Sequence, residues 1–399
     1  MESVDVIVVG AGPAGTTAAR ECAKRGLTTT LIEKESIPRP KICGGGVTLK
    51  AIELIGQEIP SGLIDQYVRG FRIYSPSLDS FEFVSKDSIS ISTTRDKFDS
   101  FLARLATLEG CELIEHDQVV DFEVLRDKTV CRLQSGRSVE GRMIIGADGV
   151  NGITAHKVGL RKRWKSSEVA LCLEATNPLT EKQMSKLDSG LFELYFVDSL
   201  VGYGWLIPKR SSASLGIGGL LSCLHRPREL LETFCRTISN LKNIKIDVSK
   251  FGAHLVPAGG FERDVASDRV ILVGDAAGFV DPLMGEGIYY AMRSGLLAAI
   301  ASAKAIDEND STKSFLEKQY SDACERSFGK DLKTALKLTY KVHTSFDTFF
   351  DLLKRYPNFS GPYVASLACG RTTYRKLNRR IPLLLMTRSV ERNLRKLRR

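Results

Sequence analysis

The sequence predicts a mixed α/β chain in which a parallel-sheet nucleotide domain is interrupted by an antiparallel sheet and followed by helices. Three observations carry that reading. A glycine-rich turn joins an apolar run to a helix-spaced segment near the start, a second apolar run ends in Gly274-Asp275, and β-rich stretches fill the interval. At 399 residues the chain exceeds the roughly 250–300 residues at which single cores stop growing, so two or three subdomains are expected.

In chain order, residues 4–9 form a short apolar strand, 16–25 read as a helix closed by Gly26, and 28–32 supply a second strand. This is a βαβ opening of about 30 residues, the size of a parallel-sheet unit. Residues 67–74, 81–84 and 88–92 alternate or are β-rich and suggest a separate antiparallel sheet. Residues 96–108 have helical spacing, with Phe98, Phe101, Leu102 and Leu105 on one side. Strands are expected at 112–115, 119–125, 129–133 and 142–145, and several more lie between 168 and 219. Residues 269–273 resemble a buried parallel strand, and 285–306 a long helix rich in small residues. From about residue 311 the chain reads as helical. The expected division is therefore a discontinuous nucleotide domain (1–60, 93–165 and 255–310), an antiparallel-sheet substrate domain (61–92 and 166–254), and a helical region (311–399).

Composition excludes several classes. With 43% hydrophobic and 26% charged residues the chain has no collagenous, disordered or disulfide-scaffold bias. The nine cysteines include no CxxC pair, and the five histidines lack metal-ligand spacing, so no metal site is expected and each histidine reads as solvated or satisfied in the core. No GxSxG nucleophile turn and no transmembrane run is present. Residues 1–10 lack a basic start and a long apolar stretch, which fits a cytoplasmic setting. The net charge of +10 is localised: residues 371–399 hold eleven basic residues and one acid, leaving 46 of each in the preceding chain.

The glycine turn reads GAGPAG. Gly10 permits the tight turn, Gly12 lets backbone approach a pyrophosphate, and Gly15 allows close helix–strand packing. The helix start presents free N–H groups and a positive dipole end, with Ala14 placed to give one of those donors. Glu33 ends the second strand about 20 residues on, where a carboxylate accepts from ribose hydroxyls. Residues 270–276 read VILVGDA, and Gly285, Glu286 and Gly287 follow before a helix. A carboxylate at Asp275 can bind a ribityl hydroxyl, and a second helix N-terminus can face the pyrimidine end of a reduced flavin, which favours FAD over NAD.

GAGPAG with Glu33, GADGVNG at 146–152 and GDAAGFVDPLMGEGI at 274–288 resemble, in that order, the para-hydroxybenzoate-hydroxylase-like flavoproteins. The resemblance implies a Rossmann-like FAD-binding domain of the glutathione-reductase and para-hydroxybenzoate-hydroxylase type. It also implies Gly285, Gly287 and Ile288 near the flavin ring, Arg95 of TTRDKFDSFL reaching the cofactor, and Val119 touching adenine through its backbone. Read from the residues alone, Arg95 is equally a surface ion-pair partner. Gly152 stands where the family commonly has Ser. Two further segments, PKICGGGV at 40–47 and YGWLIPKRSSASLG at 203–216, look like the geranylgeranyl reductases, especially archaeal enzymes acting on digeranylgeranylglycerophospholipids. Ile207 replaces the usual Phe.

That resemblance implies reduction of an isoprenoid double bond. Such an alkene has no carbonyl to polarise it, so hydride transfer needs a nearly simultaneous proton donor in a dry pocket. Tyr203, Trp205, Pro208 and Lys209 are the candidate substrate residues, Lys209 being equally readable as a strand-end charge. Cys43, beside Gly44, Gly45 and Gly46, sits on a loop that can approach the flavin, as proton donor, packing group or inert thiol. The donor of electrons is ferredoxin, NAD(P)H or a reduced deazaflavin. In the basic tail, leucines interleaved with arginines fit a peripheral helix on the cytoplasmic membrane face, or a helix packed on its own protein; sparse aromatics disfavour nucleic acid. The alternative activity is an FAD-dependent monooxygenase or halogenase acting on a soluble aromatic.

Overall fold

A computed structural model describes residues 2–197 and 201–379. The first sheet follows from strands whose C-terminal halves are apolar and buried. β1 (Glu2–Val9) buries Val6, Ile7 and Val8 completely, and β2 (Thr29–Ile32), β3 (Glu112–Ile114), β4 (Ser138–Gly146) and β5 (Val270–Leu272) end in buried apolar residues, among them Leu31, Ile32, Ile114, Ile144, Ile145 and Leu272. Such strands need cover on both sides, the condition of a parallel sheet. They lie in the order β5, β4, β1, β2, β3, every neighbouring pair parallel. Thr129–Leu133 and Val119–Val124 extend β4 as an antiparallel flap.

Three helices cover this sheet: α1 (Pro13–Lys24), α2 (Arg95–Leu108) and α3 (Ile288–Asp307). The contact between α1 and α3 joins the first and last parts of the domain through Ala14, Ala18, Ala298 and Ala299. Gly295 makes it possible, because a Cβ there would lie 2.4 Å from the carbonyl oxygen of Ala14. Backbone meets backbone, so the start of α3 is brought beside the start of α1.

The second sheet has seven strands, in the order Gly252–Pro257, Val169–Pro178, Ser212–Leu220, Gly202–Pro208, Leu191–Tyr195, Gly70–Tyr74 and Ser80–Val84. All neighbours are antiparallel except Leu191–Tyr195 and Gly70–Tyr74, which run parallel. Leu173, Leu206, Leu215 and Ile217 point to one face and pack on Leu231, Phe234, Cys235 and Ile238 of the helix Pro227–Lys242. The two-residue period of a strand then turns Cys172, Glu174, Tyr203 and Trp205 to the opposite face, toward the nucleotide domain.

Two expectations are revised. The single strand expected at 67–74 is two strands in different sheets: Gln66–Val68 pairs with Ser90–Ser92, which in turn pairs with Gly46–Thr48, whereas Gly70–Tyr74 joins the seven-stranded sheet. The switch falls at Gly70, where a Cβ would lie 2.0 Å from the carbonyl oxygen of Phe83. The helix expected from residue 285 begins at Ile288, since Gly285 adopts φ +66° and the Asp281 carboxylate accepts instead from the amides of Leu283 and Met284 at 2.8 and 3.0 Å.

Beyond α3 the chain is helical, ending in Lys330–Thr344, Phe346–Arg355 and Pro357–Ala368. Of the basic tail, residues 371–379 are described: Tyr374 donates to Asp281 at 2.7 Å and Leu377 packs on the cluster around Tyr363 and Leu338. Residues 380–399 lie outside the described residues. Among the described residues no helix is long and apolar enough to cross a membrane.

Gly295→Ala separates propensity from packing. Alanine favours a helix interior by about 1 kcal/mol over glycine, but overpacking costs about 1–3 kcal/mol and the Ala14 carbonyl is backbone that cannot rotate away. The variant is expected to unfold at lower denaturant concentration than the parent; an equal or higher midpoint in urea would contradict the close approach.

Candidate functional site

A cavity of about 590 Å³ opens between the two sheets. Gly12, Ala14, Cys43, Gly44, Gly46, Arg95, Tyr203, Trp205, Asp275, Gly285, Gly287 and Ile288 all border it, although they come from five separate stretches of chain. Gly10, at φ +101°, turns the chain where a Cβ would stand 2.5 Å from the carbonyl oxygen of Ala147, and one on Gly15 would reach the Gly10 carbonyl. Gly12 differs: nothing lies within 4 Å of its absent side chain. That open cradle faces the N-terminus of α1, which has no side-chain cap and no acid in its first turn. The N-terminus of α3, at Gly287, is equally uncapped and acid-free. Two sets of free amide donors therefore border one cavity, an arrangement suited to a dinucleotide bearing negative charge.

Buried charge connects the two ends. Glu33, 4% exposed, accepts from the Ala11 amide at 2.9 Å and from Arg39 at 3.1 Å; Arg39 also binds Asp99 at 3.0 Å. Asp99, fully buried, takes a two-point contact from Arg95 at 2.7 and 2.8 Å. Burial alone would pull the Arg95 guanidinium down, but Asp99 and the adjoining Cys43 thiol hold it above its ordinary range. Arg95 is thus both ion-paired and interior. Val119 begins its strand beside this chain, its side chain buried with Val9, Ile32 and Ile114. Asp275 stands 3.9 Å from Lys41, and Lys41 is pushed below its usual pKa by burial and by Arg95.

Lys209 has a different surrounding from a strand-end surface charge. It is 4% exposed, and its ammonium donates to the carbonyls of Gly44 at 2.5 Å and Thr93 at 2.8 Å. Burial lowers its pKa. A Cβ on Gly45 would lie 2.4 Å from that nitrogen, so Lys209 clamps the glycine loop at its tightest point. Pro208, just before it, pairs with Ala213 in the sheet.

The apolar wall is built around Trp205, whose ring overlies Gly216 and Gly218 and whose indole N–H donates to Ser214 at 3.0 Å. Tyr203 donates to the Met284 carbonyl at 2.7 Å, tying this wall to the loop before α3. Ile207 touches Gly44, so the replacement for Phe packs against the glycine loop. Gly152 also acquires a reason: a Cβ there would fall 2.0 Å from the Asp148 carboxyl carbon, and that carboxylate is turned back onto Thr154 at 2.7 and 2.8 Å.

Several lining residues escaped the sequence reading. Thr48 and Lys50 both contact Glu286, and Asp281 faces the cavity with Tyr374 on it. Glu174 and Cys172 lie on the sheet wall. His254 borders the cavity half-buried, with Nε2 buried and without a hydrogen-bond partner, where a solvated or core-satisfied histidine was expected. Burial, with Lys41 and Arg95 nearby, lowers it to about 4. Their signal was register: Cys172 pairs opposite His254 across two strands more than seventy residues apart in sequence.

Comparison with known proteins places this geometry in context. A family profile described as an FAD binding domain matches residues 3–196. Digeranylgeranylglycerophospholipid reductase of Methanococcus vannielii is 32% identical over 347 residues, covering 84% of this chain and 86% of the relative. A solved geranylgeranyl bacteriochlorophyll reductase-like protein from Thermoplasma acidophilum superposes with TM-score 0.80 at 27% identity, covering 88% and 91% of the two chains. A flavin-dependent brominase superposes with TM-score 0.75 at 21% identity, over 92% and 94%, a likeness of fold.

Lys209→Met removes the clamp while keeping the stem. Hydrogen bonds to a charged group contribute about 1.5–3 kcal/mol each, and two buried carbonyls lose their donor. The variant is expected to bind FAD at least tenfold more weakly by fluorescence titration; unaltered affinity would mean that the loop holds its shape without the ammonium.

Proposed function

The chain belongs to the digeranylgeranylglycerophospholipid reductase family and is an FAD-dependent oxidoreductase, and from that premise we propose that it saturates carbon–carbon double bonds in the geranylgeranyl chains of membrane phospholipids. The supporting observation is the cavity wall beyond the glycine loops, where Phe192, Leu194, Tyr203, Trp205 and Ile207 offer apolar surface to a ligand of isoprenoid width. Reduced FAD, when bound, supplies the hydride.

The protein's own residues position and enclose. In this reading Gly12, Ala14 and the free amides of α1 hold the pyrophosphate, with Gly10 and Gly15 shaping the turn; Glu33 takes the ribose hydroxyls and the Val119 backbone the adenine. Asp275 takes the ribityl chain, while Gly285, Gly287, Ile288 and the α3 N-terminus receive the pyrimidine end. Arg95 and the Cys43, Gly44 and Gly46 loop close over the cofactor. Tyr203 and Trp205 line the prenyl channel, supported by Pro208 and the Lys209 clamp. We keep the division into an FAD-binding domain (1–60, 93–165 and 255–310), a substrate domain (61–92 and 166–254) and a helical region (311–399). Ferredoxin, NAD(P)H or a reduced deazaflavin supplies the electrons.

Anaerobic incubation of chemically reduced, FAD-loaded protein with digeranylgeranyl phospholipid should raise lipid mass in steps of two hydrogens, read by mass spectrometry. Unchanged lipid together with oxygen uptake driven by a soluble aromatic would replace the reductase with the monooxygenase or halogenase reading.

The same proposal puts the enzyme on the cytoplasmic membrane face through its tail. Tyr374 and Leu377 anchor the start of that tail to the protein, and residues 380–399 carry seven basic residues against one acid. Each basic residue near an anionic surface contributes about 1 kcal/mol. Removing residues 380–399 is expected to lower co-sedimentation with phosphatidylglycerol vesicles more than tenfold while leaving FAD content intact; equal sedimentation of both forms would place the anchor elsewhere.

A further inference from the structure

Glu174 occupies an unusual position on the apolar wall. Its cross-strand neighbours are Gly216 on one side and Gly252 on the other, so neither adjoining strand places a side chain beside it. The space is filled from elsewhere: the Trp205 ring lies over Gly216, and Ile42 over Gly252, where a Cβ would be 1.9 Å from its terminal methyl. The carboxyl is therefore held between an indole and an isoleucine, 6% exposed, on the cavity wall. Its Oε1 accepts from the hydroxyl of Thr176, a solvent-exposed residue, at 3.0 Å. Its Oε2 is buried, and the Ser214 side chain lies close to the carboxyl. Cys43 of the glycine loop presents its backbone amide to this carboxyl, which puts Glu174 next to the segment read as flavin-facing.

We infer that Glu174 is the catalytic acid that protonates the alkene, an inference resting on the reductase reading. As the alkene π bond breaks, two C–H bonds form: one carbon takes the hydride supplied by reduced flavin, and the other takes the carboxyl proton of Glu174. The flavin is oxidised, the alkene is reduced, and the carboxylate left behind regains its proton from water through the Thr176 hydroxyl. The alternatives fit less well. Burial, with Lys41 and Arg95 nearby, disfavours the imidazolium form of His254, and the N–H of a neutral imidazole is a far weaker acid than a carboxyl. A thiol such as Cys43 is intrinsically a weaker acid than a carboxyl, with reference values of about 8.5 and about 4.3.

Burial holds the Glu174 carboxyl above the usual carboxylate range, against the opposing pull of Thr176 and Lys209. Lys209 and the Cys172 thiol are the titratable groups that interact with it, and Cys43 meets it through its backbone. A raised value carries the protonated form to higher pH than an ordinary carboxyl reaches, and its contribution is lost as pH rises through that value.

The test compares FAD-loaded wild type, Glu174→Gln and Glu174→Asp under anaerobic conditions. Glu174→Gln is expected to retain FAD absorbance and lipid binding, yet to slow single-turnover reoxidation of the flavin by prenyl lipid by about 10²–10⁴-fold, the usual range for general acid catalysis. Its rate should be flat where the wild type declines at alkaline pH, and Glu174→Asp should recover part of the loss. Independently of turnover, an infrared difference spectrum of the oxidised proteins should show a protonated carboxyl band at neutral pH in wild type and not in Glu174→Gln. Wild-type rates in Glu174→Gln, absence of that band, or loss of FAD from the variant would overturn the assignment, the last by showing that Glu174 holds the Cys43 loop instead. Failure of the wild type itself to be reoxidised by any prenyl lipid would overturn the reductase reading, and this role with it.

Discussion

The close approach of α1 and α3 governs what the rest of the molecule can do. Each helix ends at its N-terminus in unsatisfied amides, and neither end is capped by a side chain. Brought together through Gly295, they turn one side of a cavity into a row of donors. Because the first helix follows β1 and the other comes after β5, the interrupted sheet has to be complete before either end is in place. The cavity is therefore bordered by both helix ends only when the first and last parts of the domain are joined.

A second constraint runs at right angles to the first. Glu33, Arg39, Asp99 and Arg95 form a buried chain of alternating charge that reaches Cys43. Such pairs seldom stabilise a fold, since desolvation offsets attraction, whereas breaking one strands its partner at about 3–5 kcal/mol. Their value here is positional. The chain fixes the Glu33 carboxylate under the Ala11 amide at one end and the guanidinium under the glycine loop at the other, and Lys209 grips the same loop from the far side.

What could be read from the sequence was local. Gly10, Gly12, Gly15 and Glu33 lie within one βαβ unit, so spacing alone brings them together, and the Gly274-Asp275 run is recognisable because strand, turn and helix are contiguous. The sheet wall was different. Glu174, Cys172 and His254 meet only through antiparallel register between distant strands, and nothing local distinguishes Glu174 from a surface acid. The glycines at 216 and 252 received no reading of their own; their meaning lies in which side chains from other segments fill the space above them. Likewise Lys209 resembled an ordinary exposed lysine because the two carbonyls that hold it belong to loops over a hundred residues away. The break at Gly70 escaped for the same reason, since both flanking strands have β-forming sequences and only the Phe83 backbone decides between sheets.

The likeness in fold to a brominase bears on how function is assigned in this architecture. A shared scaffold supplies a place for the dinucleotide and leaves the chemistry to whatever faces it. For a polarised substrate a polar wall would suffice. An isolated trisubstituted alkene demands more: water must be absent, since it would compete for the developing cation, yet a proton must be at hand. Those requirements conflict on most surfaces, because groups that carry protons also attract water. In the role inferred for Glu174, a carboxyl set between Trp205 and Ile42, with one oxygen buried and the other on an exposed threonine, would reconcile them by joining a dry wall to a route for protons.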